Sequence, residues 1–418
     1  MPPTLPAART AAVPAAVYVL AAGIFAMVTS EFAVAGLMPQ LAESLHTGID
    51  RIGYLVTVFA AAMALGGPLL VAALLRISPK PALMTVFAIF LAGNLLAALA
   101  SSYAVMVVAR IITGVAAQAF FGLAVSLCMR LVDEQFRGRA VSVAMSGLML
   151  GTLLGLPLAT FIGGRLGWQA AFWTVAVLTA FAAALTLAFV RDPGRPGAGD
   201  DTAAASPAAE LRAFRRPQLL LALVSSTLII GATFSVFSFL TPVLTRVSGF
   251  ADSAVPLLLL AYGAATVVGN AVVGRFADRH TVATLLIGTL LNIVFLTGFA
   301  AWTDFKPAAM VFMLGIGLVG VTMNPAMAVR VQRAGGTGVL VNTVHTSFIT
   351  LGVILGSAVG SSLLPGHGLR APLVLGIVLA VLAVAAILPA LRSPYLRGGV
   401  DREPVRVVRT DSPYADAR

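Results

Sequence analysis

Long apolar runs, separated by short polar breaks, recur along the whole 418-residue chain. A helix crossing the hydrocarbon core of a bilayer needs about 20 mostly apolar residues at 1.5 Å of rise each. On that rule the pattern predicts helices near 16–38, 51–75, 81–100, 103–129, 140–164 and 169–190. A second set follows near 218–243, 254–276, 281–302, 307–330, 338–363 and 370–391. Between the sets lies 191–217, small, polar and rich in Pro and Gly, which reads as a linker. From Arg392 the chain is polar and Arg-rich and reads as a disordered tail. The first run carries Glu31 and continues to Met38 with no small-residue cleavage site before it, so it reads as an uncleaved span and not as a signal peptide. The expected fold class is an all-α integral membrane protein of twelve transmembrane helices in two pseudo-symmetric six-helix bundles, 1–190 and 218–391, with a cytoplasmic linker at 191–217 and a cytoplasmic tail at 392–418.

Composition agrees with this pattern. Only 10% of residues are charged and 59% are hydrophobic, whereas a soluble domain carries about 25% charged residues to face water. Lipid must therefore solvate most of the surface. The net charge of +11 does not indicate a nucleic-acid partner, because the basic residues fall in the connections and tails. Arg51, Arg165, Arg246, Lys306 and Arg370 lie on one side, Arg110 lies within a span, and the rest of the 27 Lys and Arg residues lie on the other side. The positive-inside rule makes that richer side, with both termini, cytoplasmic. The preference for Arg over Lys fits a GC-rich genome, and the expected location is a bacterial cell membrane. Cys128 is the single cysteine, so no internal disulfide can form. In an apolar stretch it reads as a small packing residue.

The halves look duplicated. Gly147, Gly151 and Gly155 recur every four residues in the fifth span, and Gly352, Gly356 and Gly360 repeat them in the eleventh at one constant offset. Small residues at that spacing let helix backbones approach closely in lipid, and helical repeats of this kind are typical of secondary transporters.

FAMVTSEFAVAGLMPQLAESL, ARIITGVAAQ and GLMLGTLLGLPLATFIGG, in that order along the chain, together resemble stretches of the major facilitator superfamily, and within it the drug:proton antiporters of the chloramphenicol and arabinose efflux type. FAMVTSEFAVAGLMPQLAESL resembles that group's first span and its exit. ARIITGVAAQ, with Arg110 followed by Gly114, resembles the fourth-span motif. GLMLGTLLGLPLATFIGG, with Pro157 after Gly155, resembles the fifth-span antiporter motif, and GWQAAF follows it. The family's loop motif is eroded in the first half, where GGPLLVAALLRISPKP lacks its Asp. The second-half copy, GRFADRH from Gly274 through Asp278 and Arg279, is intact. The resemblance covers nearly the whole chain. It implies alternating access, a small-molecule substrate and protons as partners, and function as a monomer without a cofactor.

Glu31 alone among the acidic residues, and Arg110 alone among the basic ones, falls deep within a predicted span. Each sits roughly 10 Å below the outer surface at 1.5 Å per residue. An ionisable group at such a depth costs about 2.5–3.5 kcal/mol on insertion scales. Two readings stand side by side: a fixed, self-neutralising pair, or a proton site at Glu31 whose affinity is biased by Arg110 or by bound substrate. The resemblance favours the second. At the repeat offset Glu31 falls on Val236, within FSVFSF, so the second half supplies no equivalent acid. Phe234, Phe237, Phe239 and Tyr262 are candidates to line an apolar cavity, and Gln118, Asn324, Asn342 and His345 are candidates for its polar contacts. For each of these, packing or a helix-to-helix hydrogen bond is the competing reading. The resemblance further implies that Asp278 and Arg279 latch the cytoplasmic ends, with Arg137 and Arg139 as partners for Asp278. Pro325 is expected to bend the tenth span.

Other classes find no support. Lys80 and Lys306 are the only lysines and neither follows a glycine-rich phosphate loop. The four histidines lack metal-ligand spacing. No catalytic constellation or metal site is expected, and the chain does not read as an enzyme. The reading is export of a small amphipathic compound by proton antiport, with chloramphenicol its most specific form. A sugar or nucleoside facilitator or exporter of the same superfamily is the alternative, and a membrane protein of non-transport function ranks behind it.

Overall fold

The computed structural model describes residues 14–74, 77–133, 136–192, 214–336 and 339–392. Most of the expected linker and all of the tail beyond Arg392 lie outside the described residues. Every regular element among the described residues is helical, and twelve of the helices are long and apolar enough to cross a membrane. They are α1 (Ala15–Ser44), α2 (Ile49–Leu74), α3 (Pro79–Ala98), α4 (Tyr103–Arg130), α5 (Arg137–Leu166) and α6 (Trp168–Phe189). After the linker come α7 (Pro217–Phe237), α8 (Val255–Ala277), α9 (Thr281–Ala301), α10 (Lys306–Gly335), α11 (Val339–His367) and α12 (Ala371–Ile387).

Local chemistry sets the helix ends. Pro79 and Pro217 sit in the first turns of α3 and α7, where a missing N–H removes no helical bond. The Ser102 hydroxyl accepts from the Val105 N–H at the start of α4. Gly167, at φ 86°, turns α5 directly into α6. Many hydroxyls within the spans are satisfied by their own helix: Thr179 and Thr186 donate to the carbonyls four residues back.

Three spans differ from the periodicity reading. α1 runs on through Pro39 to Ser44. The seventh span is not one α-helix: it stops at Phe237, makes a helical turn over Leu240–Pro242 and continues as a π-helical stretch, Val243–Val247. Pro242 lacks the N–H that an uninterrupted helix would use there. The tenth span breaks at Val321–Met323, and Pro325 opens the half-helix that follows and is not itself the bend. One charge is also placed differently from the positive-inside reading. Arg330 is only 2% exposed and donates to the Ser225 hydroxyl and the Ala386 carbonyl at 2.8 and 3.2 Å.

α1 packs on α5 and α2 on α4; equivalently, α7 packs on α11. The glycine repeats lie at these contacts. A Cβ at Gly151 would stand 2.6 Å from the Val28 Cβ, and one at Gly356 would stand 2.5 Å from the Gly231 carbonyl oxygen. With lipid as apolar as the side chains, such backbone proximity is what holds helices together. Helices α1–α6 meet α7–α12 through α2 against α11, α5 against α8, and α1 against Leu240–Pro242. Thr57 of α2 is hydrogen-bonded to Ser357 of α11 at 2.8 Å. Near that bond the Gly53 backbone faces Ser361 and Phe239. These contacts draw together the end of the bundle formed by the α1–α2 and α7–α8 connections.

Candidate functional site

A cavity of about 290 Å³ lies between the two sets of helices. Glu31 reaches it from α1, and Gln118 from α4. Phe234, Phe237, Tyr262 and Asn324 reach it from α7, α8 and α10. Six of the residues singled out by sequence therefore share one space.

The Glu31 side chain is half-buried. Arg110 is 1% exposed and does not form an ion pair with it. Its two terminal nitrogens donate to the backbone carbonyls of Ser30 and Glu31, at 2.8 and 3.1 Å, and its guanidinium carbon lies 4.0 Å from the centre of the Phe59 ring. Carbonyl dipoles and a ring face thus hold a buried cation in place of a carboxylate. The Ser30 hydroxyl donates to Asn94 of α3 at 2.8 Å, and Asn94 donates to the Phe90 carbonyl. Four helices are therefore tied together beside Glu31, whose carboxyl is left to the cavity. Gly114 brings α4 against α2 one turn away, where a Cβ would sit 2.6 Å from the Phe59 carbonyl.

Rings form the far wall. Phe237 meets Phe32 edge-on with centroids 5.2 Å apart, Phe234 at 5.5 Å and Tyr262 at 5.6 Å. The Tyr262 hydroxyl and the Asn324 Oδ1 have no hydrogen-bond partner among the described residues. Sequence reasoning missed Phe32, although it directly follows Glu31. It also missed the cavity threonines 152, 266, 346 and 350. These four hydroxyls donate to carbonyls of their own helices, at 2.9–3.1 Å.

Three candidates fall elsewhere. His345 is 5% exposed, with Nε2 3.1 Å from the Ser226 hydroxyl. Asn342 accepts from Gln332. Phe239 is fully buried, packed against Gly53 and Gly360. The motif residues separate likewise. Gly147, Gly151, Gly155 and the buried Pro157 belong to α5 where it meets α1, whereas a Cβ at Gly274 would touch nothing. Asp278, Arg279, Arg137 and Arg139 are exposed. The Asp278 carbonyl accepts from Arg333. Among the described residues no ion pair joins Asp278 to Arg137 or Arg139.

Twelve spans around a central, largely apolar cavity with one carboxyl define a multi-pass membrane transporter. The chain matches the model of the Major Facilitator Superfamily over residues 20–346 and belongs to that family. It is 33% identical over 360 residues to a chloramphenicol resistance protein of Streptomyces lividans, covering 85% of this chain and 90% of that one. It is 30% identical to the inner membrane transport protein YdhP of Escherichia coli (strain K12), covering 89% and 95%. Among solved structures, a bacterial homologue of the human lysosomal transporter Spinster, inward-facing and unoccupied, aligns with a TM-score of 0.72 at 16% identity over 90% of this chain and 96% of that one. The human organic anion transporter MFSD10 aligns at 0.63 and 17% identity, covering 89% and 98%. These distant likenesses concern the fold alone.

Proposed function

We propose that this transporter exports a small amphipathic compound in exchange for protons, and that chloramphenicol is a substrate. The observation that carries the reading is Glu31, a carboxyl within the bilayer that faces a mostly apolar cavity and has no cation in ion-pair contact among the described residues. Carboxyls within the bilayer commonly serve as proton relays, and this one borders the cavity in which a compound would sit. Protonation of Glu31 and binding of the compound then exclude one another. The ring cluster of Phe32, Phe234, Phe237 and Tyr262 suits an aromatic solute, and the Streptomyces lividans relative carries resistance to one. The four cavity threonines argue against the sugar or nucleoside alternative, because their donors are already committed to backbone carbonyls.

The rest of the reading follows the charge distribution and the repeat. The chain acts as a monomer in a bacterial cell membrane, as two six-helix bundles (1–190 and 218–391) joined by a cytoplasmic linker, with both termini in the cytoplasm. The end held by Thr57 and Ser357 is then the outer one, and this conformation is open inward. The test is drug-induced proton movement in energised inside-out vesicles. Adding chloramphenicol should release lumenal protons with the native protein and not with Glu31→Gln. Antiport that survives in Glu31→Gln would remove the carboxyl from the mechanism.

A further inference from the structure

A second cavity, about 280 Å³, lies between the outer ends of α1, α5 and α7 and the first turn of α8. The step between the two cavities can be counted on two helices. Phe32 of α1 borders the central one and Gly36 the second; on α8 the residues are Tyr262 and Pro256. At 1.5 Å per residue these steps are about 6 and 9 Å. Where α7 ends, Phe237 borders the first space and Thr241, past the turn, the second. The interval is filled by the edge-on pair Phe32–Phe237 and by Phe237–Tyr262. One layer of rings separates two spaces of nearly equal size.

Their linings differ. The second cavity is bordered by Gln40, Thr160, Thr241 and Thr245, with Phe161 as its one ring. Glu43, Arg165, Arg246 and Asp252 also line it, two charges of each sign, all exposed and none in an ion pair among the described residues. Thr160 is satisfied by the Leu156 and Gly36 carbonyls. Gln40 Oε1 and Thr241 Oγ1 are not: both are buried without a hydrogen-bond partner among the described residues, and Thr241 is only 4% exposed. A desolvated amide oxygen and hydroxyl beside a cavity are sites for a donor and an acceptor brought by a ligand. The opposed charges cancel, so an ion gains no net attraction, while hydroxyl and amide groups find partners.

We infer that this outer cavity is a second binding site for the transported compound, beyond the Phe32–Phe237–Tyr262 septum, and that it takes neutral aromatic compounds bearing hydroxyl and amide groups. The site rests on the export reading above, for in that reading it lies beyond the septum toward the outer surface. A compound leaving the ring-lined cavity exchanges stacking for hydrogen bonds one septum further out, and the septum keeps the two spaces from being continuous.

Tritiated chloramphenicol, equilibrated by dialysis with the full chain in lipid nanodiscs, is the probe. Two molecules should bind per chain at saturation. Gln40→Leu with Thr241→Val should reduce this to one, and Phe234→Ala should remove the other. Gln40→Leu with Thr241→Ser restores a hydroxyl at 241 and should recover part of the lost binding, which separates recognition from misfolding. A single bound molecule, lost in Phe234→Ala and untouched by the outer pair, overturns the second site and leaves the export reading standing. Absence of any binding overturns both.

Discussion

Thr57→Val should shift the balance between the two access states by about three-fold toward the state open at the end that is shut here. The Ser357 hydroxyl already donates to the Val353 carbonyl at 2.7 Å, so in the 2.8 Å contact between the two residues Thr57 is the donor. Valine keeps the branched shape and removes that donor alone. The bond joins α2 to α11, and those helices must part when this end opens, so its whole energy belongs to one state. Side-chain hydrogen bonds between membrane helices are worth about 0.6 kcal/mol on average and about 1.7 at most. With RT near 0.59 kcal/mol, these correspond to ratios of about 3 and about 18. Spin labels at Ser44→Cys and Ala251→Cys, both exposed at the shut end, report the two states as short and long distances. The native Cys128 is buried and stays unlabelled. The long-distance fraction should grow by that ratio in Thr57→Val, and Ser357→Ala added to it should change nothing further. Unchanged populations in Thr57→Val, or an additive effect of the second substitution, would refute the assignment of this bond to the shut state.

Three further outcomes are expected. Arg110→Lys keeps the charge but cannot reach the Ser30 and Glu31 carbonyls together, so it loses at least one charge-assisted bond of about 1.5–3 kcal/mol; a melt in detergent should show a lower midpoint, and an unchanged one would mean the fork is dispensable. Phe237→Ala removes the ring shared by three aromatic contacts, each worth about 0.5–1.5 kcal/mol, and should weaken chloramphenicol binding about ten-fold by equilibrium dialysis, whereas His345→Ala and Asn342→Ala should leave it within about two-fold; the reverse ranking would displace the cavity assignment. Asp278→Asn should favour the present conformation, in which no ion pair to that carboxylate is formed among the described residues, and equal reactivity of cysteine probes at both ends before and after the change would remove it from the latch.

Much of this architecture was legible along the chain. Each span must satisfy its backbone internally and hide from water, so the twelve runs stand out by length and apolarity with no knowledge of their neighbours. Glu31 and Arg110 stand out for the same reason, as do the glycine repeats, whose spacing has meaning only where backbones touch. Which side chains face the cavity was not legible. In water, a helix betrays its buried face by the polar residues opposite; in lipid the outer face is apolar too, and that contrast disappears. Phe237 and Phe239 are therefore indistinguishable in the sequence, yet one borders the cavity and the other is enclosed between Gly53 and Gly360. His345 and Asn324 are equally ambiguous by pattern, and packing sends the first to Ser226 and the second to the cavity.

The tertiary structure also decided the chemistry around the charges. Sequence placed Arg110 at the depth of Glu31 but could not say that the guanidinium binds the backbone of α1 and leaves the carboxyl to the cavity. Nor could it say that Arg330, read as a loop charge, is enclosed by α7 and α12. The sequence alone determined the number of spans, the glycine spacing and the placing of Glu31 and Arg110 deep within spans, because the bilayer imposes those on each helix separately. The partner of each charge, the aromatic septum and the second cavity beyond it arise only where helices from both halves converge, since their positions depend on residues hundreds of places apart.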